Sequence, residues 1–417
     1  ASDVYKRQQF INFNDSMIGF QDGDSPVIFN GTNFSDLIDA GNQPQGNAAV
    51  GAFGRVWAAD SNGVDMKYSA LLNETDWSSS DSGTLSMENV WPEADNIVAI
   101  AAWNGSLAVF GENNIIVWSD GKGSAVGIDP LEAYVVDVVS GIGCVARDSV
   151  QNVKGDMWFL SRNGLQSLGR LIQEKSNPLN NLSLNIQDDL LEALNDNSQL
   201  MSRVRSVYSP EDRFYLLSLP RTAVIGSANT ETGRAWAFDT RGLLEDGAAR
   251  VMGQWSSLVP RAIVKRRNNG LYFAVTNTPG ELGEYTGYSD GGAAIPVLYE
   301  SGWIDVSGSS GFLIIPKRID MLLALSIDST VTVKWAFDFQ TTFKTAQKTF
   351  TGIGTAAEWG EAEWGEAEWG GGTVLVEGMV AGAGTGEFIK LGLSASLDGG
   401  FVAIQQMDLF AKIGRYK

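Results

Sequence analysis

The residue types that could carry out catalysis are few. The chain of 417 residues contains no histidine and a single cysteine, Cys144. Without imidazole there is no Ser-His-Asp or Cys-His nucleophile, no histidine general base and no His-containing zinc site. Cys144 has no second thiol for an internal disulfide or a paired-thiol metal site. Its neighbours Gly143 and Val145 suit a buried structural thiol. Carboxylates are the catalytic groups that remain, and glycoside hydrolysis is the chemistry that two of them perform.

Three carboxylate patterns come into question, and each has a simpler reading. The densest is the AEWG repeat, with Glu358, Glu361, Glu363, Glu366 and Glu368. A carboxylate pair works when two different environments drive its pKa values apart, and a repeat gives each glutamate the same surroundings. Asp22-Gly23-Asp24-Ser25 opens like a calcium loop, but its twelfth position is Asn33 instead of a bidentate Glu, which favours a polar turn. Ser396, Asp398 and Gly400 match half of one sialidase-type box, where Val402 and Ala403 replace the Thr-Trp. No GxxxxGK[ST] phosphate loop is present. The expectation is a protein with no catalytic residues, cofactor or metal.

Net charge narrows the partners. Forty-nine acidic residues against 30 basic ones give −19 and a pI near 4.4. Such a surface repels nucleic acid and anionic membrane, and it suits a wall that DNA must slide past without sticking. No apolar run approaches 18 residues, so no membrane span is expected. No secretory signal is visible either. The opening ASDVYKRQ resembles translated library-adaptor sequence, so residues 1–9 are expected to be a non-native or disordered start.

The elements that would position any site are strands. Ile97 to Trp103 turns at Asn104-Gly105 into Ser106 to Phe110, and Glu112-Asn113-Asn114 leads on to Ile115 through Trp118. Asn-Gly between β-rich runs is a hairpin signal, because a type I′ turn needs positive φ at both central residues. Similar hairpins turn at Asn30-Gly31, Asn62-Gly63, Arg162-Asn163-Gly164, Ser209 to Asp212 and Asn268-Asn269-Gly270. The units begin near residues 10, 52, 97, 155, 203 and 261. That spacing is the spacing of propeller blades. The prediction is an all-β chain: a six-bladed β-propeller over residues 10–298, then a C-terminal β-sandwich over 299–417.

Two segments stand apart. Leu182 to Met201 has helical spacing and predicts one amphipathic helix (182–201) on the outside of a blade. The insert at 356–372 repeats every five residues, which is neither the helical nor the strand period. Its Trp359, Trp364 and Trp369 therefore cannot line one face of a regular element, and they are the candidate subunit interface.

Several of these runs resemble a known family, the nozzle or tail-hub (head-closure, stabilisation) proteins of short-tailed bacteriophages. Tyr68-Ser69-Ala70-Leu71-Leu72-Asn73-Glu74-Thr75-Asp76-Trp77 looks like that family's strand and turn ending in Asp-Trp. Leu107 to Phe110 with Ile115 to Ser119 looks like its following hairpin, and Met157 to Gly169 like its blade around Asn-Gly. Gly302-Trp303-Ile304-Asp305, Lys317-Arg318 and Lys412 to Arg415 look like the C-terminal β-domain of phage tail proteins. The resemblance implies a virion protein assembled in the host cytoplasm. It further implies a homo-oligomer, a hexameric ring between the portal and adaptor side and the tailspike or fibre proteins. Double-stranded DNA would pass through that ring without specific binding. Two other classes stay open: a cell-surface or secreted carbohydrate-binding β-propeller, and a carboxylate-only glycosidase.

Overall fold

A computed structural model describes residues 8–120, 128–174, 181–196, 198–220, 233–255, 259–266, 270–274, 282–290, 292–306, 312–352 and 374–415. Strands dominate the described residues and helices are few, so the protein is all-β. It divides into two compact units, Ala1–Tyr285 and Thr286–Lys417.

Six small antiparallel sheets follow one another along the first unit. The first contains β1 (Gln8–Phe13), β2 (Ser16–Gln21), β3 (Val27–Phe29) and β4 (Phe34–Asp36). The second contains β5 (Ala49–Ala52), β6 (Arg55–Ala59), β7 (Asp65–Tyr68) and β8 (Gly83–Ser86). β9 (Ile97–Trp103), β10 (Ser106–Gly111), β11 (Asn114–Ser119) and β12 (Tyr134–Ser140) form the third. The fourth has three strands, β13 (Gln151–Val153), β14 (Asp156–Ser161) and β15 (Gly164–Ser167). The fifth contains β16 (Arg205–Ser209), β17 (Phe214–Leu219), β18 (Arg234–Leu243) and β19 (Ala249–Trp255). The last is β20 (Ala262–Lys265), β21 (Leu271–Ala274) and β22 (Leu282–Glu284). Every sheet is a meander in sequence order, and the sheets start within about five residues of the six expected positions.

The second strand of each middle sheet explains why its sequence is apolar without a break. Strand side chains alternate between faces, so a strand buried on one face alternates in polarity, whereas one buried on both does not. In β10, Leu107 and Val109 join the core shared with the second sheet, while Ala108 and Phe110 join the core shared with the fourth. In β14, Met157 and Phe159 point back to the third sheet, and Trp158 and Leu160 point on to the fifth. In β17 the same division separates Tyr215 and Leu217 from Phe214 and Leu216. Five apolar clusters thus join the sheets pairwise, first to second through fifth to sixth. Among the described residues none joins the sixth to the first. In β1, exposed residues accordingly alternate with half-buried ones.

The helical insertion differs from its expectation. In place of one helix over 182–201, there is a 3₁₀ turn at Leu184–Ile186, a helix over Gln187–Asp196, and a further 3₁₀ turn at Ser198–Arg203. Asn181, Ser183 and Gln187 explain the delayed start. The Leu165 amide donates to Ser183 Oγ, and the Asn181 amide reaches the Asn163 carbonyl and Gln187. These side chains are committed to the β14–β15 turn. Leu190, Ala193 and Leu194 face the core between the fourth and fifth sheets. A second helix, Leu168–Glu174, follows β15 and had no sequence signal.

The second unit has two antiparallel sheets around one apolar core. One sheet orders β23 (Ile295–Glu300), β28 (Ile389–Leu397), β25 (Ser329–Phe337) and β26 (Lys344–Phe350). The other orders β27 (Val374–Ala381), β24 (Phe312–Leu325) and β29 (Val402–Arg415). Ile319, Met321 and Leu323 of β24 meet Val331, Val333 and Trp335 of β25 and Ile389, Leu391 and Leu393 of β28. The unit begins at Thr286, earlier than the expected 299, because β23 pairs with β28 along its whole length. Gly302 to Asp305 contributes one isolated bridge, between Ile304 and Ile389.

Candidate functional site

The first strands of the sheets lie side by side: β1 meets β5, β5 meets β9, β13 meets β16, and β16 meets β20. Arg147 is placed among them by a single 3₁₀ turn, Arg147–Ser149, just before β13. Its side chain is 6% exposed. Nε donates to Asp148 Oδ1 at 2.7 Å, Nη2 donates to the Gln8 carbonyl at 3.1 Å, and Nη1 donates to the Asn47 carbonyl. One guanidinium thus fastens the entries to the first, second and fourth sheets. A planar fork of donors suits this task, where an ammonium would not. Asp148 also lies 3.4 Å from Arg205 Nη1. Burial lowers the Arg205 pKa, with Asp148 opposing that shift and Arg147 adding to it. Nothing in the local sequence singles out Arg147.

Gln9 supports the same region. Its side-chain amide donates to the Ala49 carbonyl at 2.9 Å and accepts from the Ala49 amide at 2.8 Å. It therefore acts as an extra ladder residue between β1 and β5.

The most buried carboxylates are Asp95, Asp120 and Asp239, all under 9% exposed. Asp95 accepts from the amides of Glu112 and Asn113 and from Asn114 Nδ2, at 2.8–2.9 Å, and so shapes the β10–β11 turn. Asp239 is held below the usual carboxylate range by its hydrogen bond from Arg241, against the effect of burial. Asp120 accepts from the Asp129 amide. A general acid needs burial without such partners to raise its pKa. These three are occupied in shaping turns and loops.

A further set of carboxylates lies on the second unit, where Glu377 and Asp408 are exposed and Asp320 is half-buried. A groove of about 430 Å³ is lined by Asp320, Leu322, Lys348, Glu377, Met379 and Asp408. Asp320 and Asp408 stand directly opposite in the β24–β29 ladder. Like charges at that spacing repel. Arg318 offsets this, with Nε 2.8 Å from Asp320 Oδ1 and its guanidinium 4.3 Å from the centre of the Phe410 ring. Among the described residues no group of three or more acidic or thiol side chains is arranged to hold a metal ion.

The residues singled out in the sequence fare as follows. Asp22 to Ser25 is the turn between β2 and β3, and the Asp24 carboxylate accepts from Gln21 Nε2 at 2.6 Å. Cys144 is fully buried between the third and fourth sheets, and its thiol donates to the Ala146 carbonyl. Ser396 and Asp398 straddle the end of β28. Trp359, Trp364, Trp369 and the glutamates of the repeat lie outside the described residues. So does most of the Asn268-Asn269-Gly270 turn. Among the described residues no helix is long and apolar enough to cross a membrane.

No protein-family model matches the chain, and no curated protein matches it. Solved structures align at low similarity. A carbohydrate-active enzyme of family AA12 from Trichoderma reesei aligns at 10% identity and TM-score 0.38, over 68% of this chain and 93% of that one. The WD40 domain of SCAP from fission yeast aligns at 8% and 0.28, over 95% and 93%. A family 43 arabinoxylan arabinofuranohydrolase from Bacillus subtilis aligns at 9% and 0.22, over 97% and 95%. Scores at this level carry no argument about fold or chemistry.

Proposed function

We propose that this chain is a structural component of a bacteriophage tail, a nozzle or hub protein that works as a ring, with six copies as the number the family likeness suggests. In this reading the six meanders are the blades of a β-propeller and the second unit is a β-sandwich. One observation carries it: two of the runs that resemble the nozzle family occupy the same place, the second and third strands, in successive sheets, and the other follows the third strand of the sheet before them. Tyr68 to Trp77 leaves the third strand of the second sheet, Leu107 to Ser119 is the β10–β11 hairpin, and Met157 to Gly169 spans the β14–β15 hairpin.

The conduit for DNA then lies between copies rather than along one propeller. In a six-bladed ring the first and fourth blades are opposite, and Arg147 would tie them across the axis. A charge of −19 supports a channel wall that repels phosphate. The chain has no enzymatic role in this reading. Trp359, Trp364 and Trp369 are assigned to the subunit interface, where each indole could bury roughly 150–250 Å².

Light scattering on the purified chain tests the reading. A ring mass is expected, and changing the three tryptophans to Ala should shift it toward the monomer. A monomer at all concentrations would refute the ring, and a triple variant that assembles like the parent would remove the interface assignment. Cleavage of capsular or cell-wall polysaccharide that is abolished by one Asp or Glu substitution would overturn the non-enzyme reading.

A further inference from the structure

The turn after β25 breaks a pattern kept by the other tight turns. Among the described residues six consecutive pairs hold both residues at positive φ: Asn14-Asp15, Ala40-Gly41, Phe53-Gly54, Asn104-Gly105, Lys154-Gly155 and Asp338-Phe339. Glycine takes the second place in four of them and aspartate in one, the residue types that tolerate this region. Phe339, at φ 62°, puts a bulky aromatic there, while Phe53, at φ 55°, takes the first place of its pair. Such a residue is sterically disfavoured in the left-handed region.

The conformation is enforced from two sides. The Gln340 amide closes the turn on the Phe337 carbonyl at 2.9 Å. Asp338 Oδ1 accepts from the amides of Glu387 and Phe388 at 2.7 and 3.0 Å, which pins the turn to the approach of β28. The ring is only partly covered, because Phe339 is 63% exposed. Its ring lies 4.9 Å from Trp303 and 5.3 Å from Phe388, with planes tilted by 46° and 45°. A strained backbone that displays an exposed aromatic between two others is the kind of outlier that marks a binding site.

We propose that Trp303, Phe339 and Phe388 form a saccharide-binding platform, with Asp338 at its rim. A pyranose ring has one face of C–H bonds, which stacks on an aromatic ring, and a periphery of hydroxyl donors. Asp338 is exposed, and its carboxylate, which accepts two amides through Oδ1, has acceptor capacity left for such a hydroxyl. Asp338 is exposed at this turn, and the chain as a whole carries a net charge of −19. That disfavours nucleic acid or anionic lipid and leaves a neutral polyhydroxyl ligand as the complementary class. β-Linked gluco- and galacto-oligosaccharides present the required face. The proposal is independent of the tail reading.

The test uses the full chain, titrated with cellohexaose and with galactohexaose by calorimetry, beside Phe339→Ala, Phe339→Asn and Asp338→Asn variants. The parent is expected to bind at least one of the two sugars. Both Phe339 variants should weaken binding at least tenfold. Phe339→Asn should also raise the thermal midpoint, since asparagine accepts positive φ, so lost binding cannot then be attributed to lost folding. Failure of the parent to bind either sugar would overturn the proposal, as would unchanged binding by Phe339→Asn. A lowered midpoint in Phe339→Asn would also count against it, by showing that Phe339 is kept for packing.

Discussion

Arg147 donates to the main-chain carbonyl of Gln8, 139 residues earlier in the chain. Both lie at sheet entries, and the same guanidinium reaches Asn47 and Asp148. Arg147→Met should leave Asp148 and two carbonyls short of a donor while roughly preserving side-chain volume. Removing one member of a buried ionic cluster costs about 3–5 kcal/mol. Urea unfolding should report a loss near the lower end of that range. A change below about 0.5 kcal/mol, the size of an ordinary surface substitution, would contradict the fastening role.

Glu300 sits between Lys334 and Lys390, each with Nζ 2.7 Å from a carboxylate oxygen. Hydrogen bonds from Lys334 and then Lys390 hold its pKa below the ordinary value. A depressed carboxylate pKa stabilises the fold above the unfolded pKa, and this contribution is lost as pH falls through the folded one. Glu300→Gln should therefore cost about 1 kcal/mol at pH 7, the scale of a partly exposed pair. The gap between variant and parent should close below pH ~4. A pH-independent gap would mean that the charge is not the cause.

β12 is the outer strand of the third sheet and exposes Tyr134 and Val136, each 52% accessible. An apolar edge of this kind recruits other strands unless something blocks it. Two features do so here. A bulge interrupts the ladder opposite Val117 and Trp118, and the Val138 amide donates to the Asp137 carboxylate at 2.9 Å. Asp137→Val should release that amide and remove the charge. Concentration-dependent self-association by analytical ultracentrifugation is expected, without loss of β content by circular dichroism. A variant that sediments like the parent at every concentration would count against the blocked-edge account.

Two glycines should respond differently to alanine. A Cβ on Gly143 would collide with the main chain of Glu112 and Asn113, which cannot move without disturbing the Asp95-capped turn. One on Gly105 would meet nothing within 4 Å and suffer only its φ of 75°. Gly143→Ala should cost at least ~2 kcal/mol and Gly105→Ala about 1 kcal/mol. Thermal melts giving the reverse order would show that backbone strain outweighs overlap at these sites.

Much of the architecture was legible along the chain. Continuous apolar runs such as Leu107 to Phe110 and Met157 to Leu160 can be buried only between two other layers. Asn104-Gly105 and Asn62-Gly63 fix where strands reverse, because few residues accept positive φ. Both signals are local: they depend on side-chain alternation and on the conformational limits of neighbouring residues. The lack of histidine was equally decisive for the chemistry available, since no folding can supply an absent side chain.

What the tertiary structure alone decided depends on residues far apart in sequence. Nothing near Arg147 marks it from other arginines; its importance comes from carbonyls 100 and 139 positions away. Lys334 and Lys390 become partners of Glu300 only because β25 and β23 both pair with β28. The helix expected over 182–201 starts late because Asn181, Ser183 and Gln187 bond to a hairpin that local periodicity does not register. Phe339 reads as the end of an apolar strand until the amides of Glu387 and Phe388 fix Asp338 in the left-handed region and turn the aromatic ring outward. Local sequence sets which conformations are affordable, and long-range hydrogen bonds select among them because each buried donor and acceptor must find a partner wherever the fold brings one.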